Sequence, residues 1–356
     1  MSAESAAAQS TAATTDLRLV RTVRYAVGTT LAVALAMGID WQLSYLTPIL
    51  ALSFLAPPAR RPNPKKMAEF IGIVAVASVI GVLLSASLLP YPVVFLLVEL
   101  LLLFLLFYGN ARGAPPLLTT FLMIAITVIP VLALQSMSLA IGVAKGLATG
   151  AAAAMGSVWL AHVLFPDPVT DVPSTPGGAG ASGKPAPLSP GQCLTRAWAS
   201  TVVVFPLAAL YLYFGLTSVL VLVFIALLSM QPDVATGTKA GKALVVGNLM
   251  GGIAAIVMFE LLVMVPEFVF LLLVTLFAGL FFGSRLFSGA PTAPLFGTAY
   301  STMLIVVLSA TSAYGEADTK AWTRVLQIIA AVVYLVVAFA AVRSLIGKSE
   351  TNHETS

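Results

Sequence analysis

The chain has 356 residues, of which 59% are hydrophobic and 9% are charged, and its mean hydropathy is +1.02. Ordinary soluble domains carry about 25% charged residues, so this composition excludes a soluble enzyme, a nucleic-acid-binding protein and a disordered chain. One cysteine and two histidines exclude an intrachain disulfide framework and leave little for a metal site. We therefore expect an all-α polytopic membrane protein that carries no metal and no cofactor.

The N-terminal residues 1–16 are small and polar, and they lack the basic and apolar regions of a signal peptide. We expect them to form a disordered tail. Twelve apolar segments follow, at about residues 21–38, 43–56, 67–89, 92–108, 114–133 and 139–164, and then at 195–214, 216–230, 239–264, 266–283, 291–309 and 321–346.

Two of these segments, 43–56 and 216–230, are short, since a full span needs about 20 apolar residues. They are either short helices buried in the bundle or re-entrant segments, unless their boundaries are misplaced by a few residues. Pro48 inside the first of them favours an interrupted helix.

Several motifs recur at a nearly constant distance along the chain. The sequence Phe-Tyr-Gly at 107–109 matches Phe-Phe-Gly at 281–283 with an offset of 174, and Gly-Ala-Pro at 113–115 recurs at 289–291 with an offset of 176. Slowly drifting offsets of this kind indicate an internal duplication. Six segments in each half predict parallel repeats related by a pseudo-two-fold axis along the membrane normal.

The stretch between the halves is rich in Pro, Gly, Ser and Ala and has no apolar periodicity, which is typical of a linker. We therefore divide the chain, after the tail at 1–16, into a first six-helix repeat at 17–165, a linker at 166–190, a second six-helix repeat at 191–346 and a C-terminal tail at 347–356.

The basic residues indicate the orientation of the chain. With twelve spans, most of the 18 Lys and Arg residues fall on one side, and by the positive-inside rule this side is the cytoplasm. Both termini and the linker are therefore expected in the cytoplasm, with the chain in a bacterial inner membrane. The residues on this side are Arg18, Arg21, Arg24, Arg60, Arg61, Lys65, Lys66, Arg112, Lys184, Arg196, Lys239, Lys242, Arg285, Arg343 and Lys348.

Lys145 and Arg324 depart from this pattern, because each lies inside the outer end of an equivalent segment, the sixth and the twelfth. A cation there is costly without a partner. One hypothesis is a pair of pseudo-symmetric binding sites for the carboxylate of an anionic substrate. The other is that both side chains extend to the outer interface.

Glu99 lies near the middle of the continuous apolar run of the fourth segment. Its carboxylate would be neutral in lipid or in a dry core. Such an acid either carries protons for a transporter or is a neutral buried acid bonded to a neighbouring helix. The repeated motifs give Glu99 no counterpart in the second half.

The two loops that share Gly, a basic residue and Pro contain Arg112 and Arg285. We favour tight turns with Pro in the first helical turn, and the alternative is a cytoplasmic vestibule whose two arginines attract anions. Gly247 and Gly251 predict close helix packing, with Asn248 bonding across helices.

The chain has no Walker motif, no HExxH sequence and no GxSxG sequence in a usable context, so we do not expect an enzyme. Energy for transport would then come from an ion gradient or from the gradient of the substrate.

Three stretches carry a resemblance to a known family: residues 18–56, the sixth-segment sequence IGVAKGLATG at 141–150 and the closing WLAHVLFPDP at 159–168. They resemble the fusaric acid resistance superfamily, which includes aromatic acid exporters and is similar to plant aluminium-activated malate channels, and within it a DUF2955-like branch of bacterial inner-membrane proteins. The resemblance implies export of small organic anions, often aromatic carboxylates, beside a periplasmic membrane-fusion protein. Its basic position in the sixth helix corresponds to Lys145.

We thus expect an efflux transporter for small organic anions, driven by a gradient or by protons. A passive organic-anion channel and a non-transporting membrane scaffold for a partner protein are the alternatives. Beside the substrate and the lipid bilayer no nucleic-acid partner is expected, and assembly of two copies into a homodimer stays open.

Overall fold

The computed structural model of the protein describes residues 3–39, 43–57, 62–166, 189–214 and 239–311. All regular secondary structure in these ranges is helical. The helices are α1 (Ala3–Ile39), α2 (Leu46–Leu55), α3 (Pro64–Leu88), α4 (Pro92–Ala111), α5 (Pro116–Gln135), α6 (Met137–Leu164), α7 (Pro190–Phe214), α8 (Lys239–Met264), α9 (Phe268–Leu286) and α10 (Ala293–Thr311). The backbone of α1 is helical from Ala3, within the stretch for which the sequence predicts a disordered tail.

Among the described residues, nine helices are long and apolar enough to cross a membrane. The protein is therefore an all-helical, multi-pass membrane protein. The tenth helix, α2, has ten residues and extends about 15 Å, half the thickness of the hydrocarbon layer. Segments 216–230 and 321–346 lie outside the described residues, so the count of twelve stays a prediction.

The helices form two compact units. Among the described helices, the first unit contains α1, α2, α9 and α10, with residues 149–164 of α6 and 246–264 of α8. The second unit contains α4, α5 and α7, with residues 69–88 of α3 and 137–148 of α6. Each unit thus combines helices from both halves of the sequence.

The packing within each unit follows the same plan. In the first unit α1, the first helix of its half, packs along α9, the fourth predicted segment of the other half. In the second unit α7 packs along α4, which have the same two ranks with the halves exchanged. In both units the next helix along the chain, α10 or α5, packs on that fourth helix and is almost completely enclosed over its middle turns.

The fourth helices α4 and α9 share one register of burial, with an offset of 176 residues. The positions that face outward in α4 are Val93, Leu97, Leu101 and Leu105, and 176 residues later Val269, Leu273, Phe277 and Phe281 are exposed too. The buried positions are Phe95, Glu99, Leu103 and Phe107 in α4, and Leu271, Thr275, Gly279 and Gly283 in α9. A single register therefore relates both the outer and the inner faces of the two helices.

The turns after α4 and α9 keep the same offset. Gly113 and Gly289 have φ angles of 89° and 76°, a left-handed conformation that glycine adopts without a steric penalty. After α4 the amide of Ala114 donates to the carbonyl oxygen of Gly109 at 2.9 Å, which caps the helix C-terminus. These turns agree with the interpretation of both loops as tight connections.

Candidate functional site

Glu99 is completely buried at the centre of α4, with 0% of its surface exposed. Neither of its carboxyl oxygens has a hydrogen-bond partner among the described residues. Burial of a carboxylate without a partner is strongly unfavourable, so these surroundings favour the neutral acid. The sequence-based prediction of a buried acid is therefore confirmed, and the described contacts supply no bond to a neighbouring helix.

The face of α4 that carries Glu99 is covered by α5 and α7. The Cys193 thiol of α7 donates to the carbonyl oxygen of Ala111 at 3.6 Å, and the rings of Phe104 and Trp198 lie 4.9 Å apart. The two helices therefore run antiparallel. Glu99 lies about 18 Å below Ala111 at 1.5 Å per residue, opposite the middle turns of α7.

The groups that could titrate or carry charge near Glu99 are few. Helix α5 contains none, and α7 contributes Cys193, Arg196, Tyr211 and Tyr213. Arg196 belongs to the first turns of α7, about 13 Å from the level of Glu99 along the axis. The acid is thus surrounded by aliphatic residues and small hydroxyl side chains at its own level.

Thr275 occupies the position equivalent to Glu99 in the first unit. It follows Glu99 by 176 residues, is 0% exposed, and its hydroxyl oxygen has no partner within the described part of the chain. The sequence-based expectation that Glu99 lacks a counterpart is therefore incomplete. An acid is absent from this position of the second half, but a buried polar residue holds it.

The residues around Thr275 differ from those around Glu99. The Tyr300 hydroxyl of α10 donates to the carbonyl oxygen of Thr275 at 3.1 Å, and the rings of Tyr300 and Tyr25 lie 5.6 Å apart. In the same registers the second unit has Ile124 in place of Tyr300 and Ala197 in place of Tyr25. The second unit therefore lacks the phenol that reaches this level in the first.

Lys145 lies in α6, eight residues after the helix begins, and its side chain is exposed. Its neighbours on the exposed face are the small residues Gly142 and Thr149. Arg324, its predicted partner in substrate binding, lies outside the described residues. The proposed pairing of these two cations is therefore not tested by the fold.

Arg112 and Arg285 are both exposed and lie at the ends of α4 and α9. Each guanidinium lies over an aromatic ring one turn earlier, Arg112 at 5.7 Å from the Tyr108 ring and Arg285 at 6.0 Å from the Phe281 ring. Such contacts hold an exposed arginine against its own helix. They favour the turn interpretation and leave the charges accessible to anions.

Two cross-helix predictions for α8 are confirmed. The Thr302 hydroxyl of α10 donates to the Asn248 side-chain oxygen at 2.5 Å. A Cβ atom added at Gly247 would lie 3.0 Å from the side chain of Thr298, and one added at Gly251 would meet the backbone of Ala299. Glycine is needed here because α8 and α10 approach closely.

Sequence reasoning assigned Arg24 to the cytoplasmic surface, but the structure buries it. Only 2% of its surface is exposed, and Nη1 donates to the carbonyl oxygen of Phe165 at 3.4 Å, just after the end of α6. A cation at a helix C-terminus meets the negative end of the helix dipole. The motif match between Arg24 and Arg196 was the signal that could have singled it out.

Residues 21–161 match the model of a family described as Protein of unknown function (DUF2955). The first half of the chain is therefore similar to that family, in which no activity is described. No curated protein matches the chain, and no solved structure does. Membership of the wider fusaric acid resistance superfamily stays a prediction.

Proposed function

We propose that the protein is an inner-membrane exporter of small organic anions, aromatic carboxylates above all, driven by protons or by the substrate gradient. In this proposal the chain has twelve spans in two six-helix repeats and both termini are in the cytoplasm. Glu99 carries the coupling proton, Lys145 and Arg324 bind the substrate carboxylate, and Arg112 and Arg285 attract anions at the cytoplasmic side.

The observation that carries the proposal is the burial of Glu99 without a hydrogen-bond partner among the described residues. A structural acid inside a helical bundle is expected to bond to a neighbouring helix, because the bond offsets its desolvation. Ionisable groups at such depth are typical of proton pathways in transporters. The exposed Lys145 adds a cation within a span, which suits recognition of an anion.

The first test uses the purified full-length chain in proteoliposomes with radiolabelled benzoate or salicylate. We expect counterflow, in which unlabelled anion on one side drives accumulation of labelled anion from the other, and accumulation when a pH gradient is imposed. Flux without counterflow would indicate the passive channel. Absence of flux with any organic acid would favour the non-transporting scaffold.

Glu99→Gln is expected to abolish accumulation driven by the pH gradient while anion exchange persists, because an amide cannot bind and release a proton. The matched control is Glu260→Gln, which removes an exposed acid from α8 and should leave both activities intact. Gradient-driven accumulation that survives in Glu99→Gln would contradict the assignment of the proton carrier.

Lys145→Ala is expected to raise the KM for the anion at least tenfold, whereas Lys145→Arg keeps the charge and should retain most of the affinity. Lys66→Ala removes an exposed cation from the start of α3 and serves as the control. Unchanged flux and KM in Lys145→Ala would remove this residue from the substrate site.

A further inference from the structure

The register that relates Glu99 to Thr275 extends to other helices of the two units. The buried face of α1 recurs in α7 with an offset of 172 residues, and that of α3 recurs in α8 with an offset of 177. The paired buried positions are Tyr25, Gly28, Thr29, Ala32 and Ala36 with Ala197, Ser200, Thr201, Val204 and Ala208, and Phe70, Val74, Ser78, Gly81 and Ser85 with Gly247, Gly251, Ala255, Met258 and Leu262.

Hydrogen bonding supports the same pairing of α1 with α7. The hydroxyl of Thr29 donates to the carbonyl oxygen of Tyr25 at 2.7 Å, and that of Thr201 donates to the carbonyl oxygen of Ala197 at 2.8 Å. Both threonines are completely buried. The match therefore extends from burial to the bonding of equivalent side chains.

This register leaves one unequal polar pair on the helices α4 and α9. Glu99 and Thr275 are both 0% exposed, and the side-chain oxygens of both lack a hydrogen-bond partner among the described residues. A carboxyl group binds and releases a proton in the physiological range when its surroundings permit it, and a threonine hydroxyl does not. Equivalent positions of the two units therefore differ in the capacity to hold a proton.

We propose that each chain has a single proton-binding position at this level, Glu99 in the second unit, and that Thr275 is its permanently neutral counterpart in the first unit. A transport cycle would then move one proton per chain at this level, in spite of the duplicated fold. The inference rests on the proposed function only in taking the proton at Glu99 as the coupling proton, since the count of binding positions is independent of transport.

The test counts buried carboxylic acids with dicyclohexylcarbodiimide, an apolar reagent that adds to protonated carboxyl groups shielded from water. The full-length chain in lipid vesicles is labelled, and the adducts are counted and located by peptide mass spectrometry. We expect one adduct in the wild type, at Glu99, and none in Glu99→Thr. Glu260→Gln should keep the single adduct, because its acid is exposed.

The equivalence of the two positions is tested by exchanging them. Thr275→Glu should carry two adducts, and the double variant Glu99→Thr with Thr275→Glu should carry one, now at position 275. Absence of label at position 275 in a folded exchange variant would overturn the equivalence. A second shielded adduct in the wild type would overturn the single position.

A cysteine pair keeps the test decisive if an acid at position 275 prevents folding. In a Cys193→Ser background, Glu99→Cys and Thr275→Cys are expected to be protected equally from a membrane-impermeant maleimide, and Tyr213→Cys on an exposed site should react. A difference in protection greater than tenfold would contradict equivalence. Labelling as expected in a protein without anion flux would sustain this inference and refute the proposed exporter.

Discussion

The two units hold different chemistry in the same packing arrangement. Around the fourth helix, the first unit has Thr275 with two buried tyrosines, and the second has Glu99 with isoleucine and alanine at the equivalent positions. The helix pairs nevertheless share one register of burial. The first unit therefore acts as an internal control, since it shows that this packing forms without a carboxyl group at its centre.

This comparison bears on why Glu99 is present. If the fold required a polar group at that level, threonine would suffice, as it does in the first unit. An acid without a partner lowers stability relative to an apolar residue. A function that needs a titratable group accounts for the difference between the two units, and packing does not.

The largest expected effects come from the glycines that allow close approach. A Cβ atom at Gly81 would lie 2.5 Å from the carbonyl oxygen of Ala125, which the backbone of α5 cannot easily yield. We expect Gly81→Ala to cost about 3 kcal/mol, the upper range for overpacking, and Gly251→Ala to cost a similar amount in the first unit. Thermal unfolding in detergent measures both as a lower Tm.

Gly72→Ala is the matched control for Gly81, because it lies on the same helix with open space around its Cβ position. Its Tm should stay within experimental error of the wild type or rise slightly. A marked loss for Gly81→Ala with none for Gly251→Ala would show that the two units do not pack their third and fifth helices alike.

The next effect has the opposite sign. Glu99→Leu is expected to stabilise the protein by about 2 kcal/mol, because it replaces an unpartnered buried acid with an apolar side chain of similar size. Thr275→Leu should not stabilise, since it inserts a larger side chain beside Tyr300. An increase of Tm for Glu99→Leu together with loss of gradient-driven accumulation would mark a site where stability is sacrificed for function.

A smaller effect concerns the phenol that only the first unit has. Tyr300→Phe removes the hydrogen bond to the Thr275 carbonyl oxygen and is expected to cost about 1 kcal/mol. Tyr213→Phe, at a side chain that is 83% exposed, should leave the Tm unchanged. Equal Tm values for the two variants would mean that the Tyr300 bond contributes nothing to the difference between the units.

Much of the helical content could be predicted from the sequence, because apolar length, loop charge and proline at helix starts are local signals. The burial of Glu99 and the contact between Asn248 and α10 also follow from such signals. The exchange of helices between the halves could not be predicted, since packing of α1 on α9 and of α7 on α4 involves residues far apart in the chain.

The counterpart of Glu99 was missed for a related reason. Matching the letters of residues 107–109 with 281–283 gives an offset of 174, which pairs Glu99 with the exposed Leu273. Burial gives an offset of 176 and pairs it with Thr275. The letters near a helix end recur by composition, whereas the buried face is fixed by the helices packed on it.

The smallest expected effects concern the two exposed arginines. Because Arg112 and Arg285 lie over aromatic rings at similar distances, we expect Arg112→Gln and Arg285→Gln to cost the same small amount, about 0.5 kcal/mol each, as an exposed cation–π contact does. Unequal losses of Tm would separate the two turns in spite of their shared glycine conformation.

These arginines also test the proposed attraction of anions, through ionic strength. Both glutamine variants should raise the KM for benzoate a few fold at 10 mM salt and leave it unchanged at 1 M, where exposed charges are screened within about 3 Å. Arg112→Lys loses the planar contact with the ring but keeps the charge, so it should lower the Tm without altering the KM. A KM that ignores salt and charge in all three variants would leave these residues with the turn alone, because attraction through the field of an exposed cation is always screened.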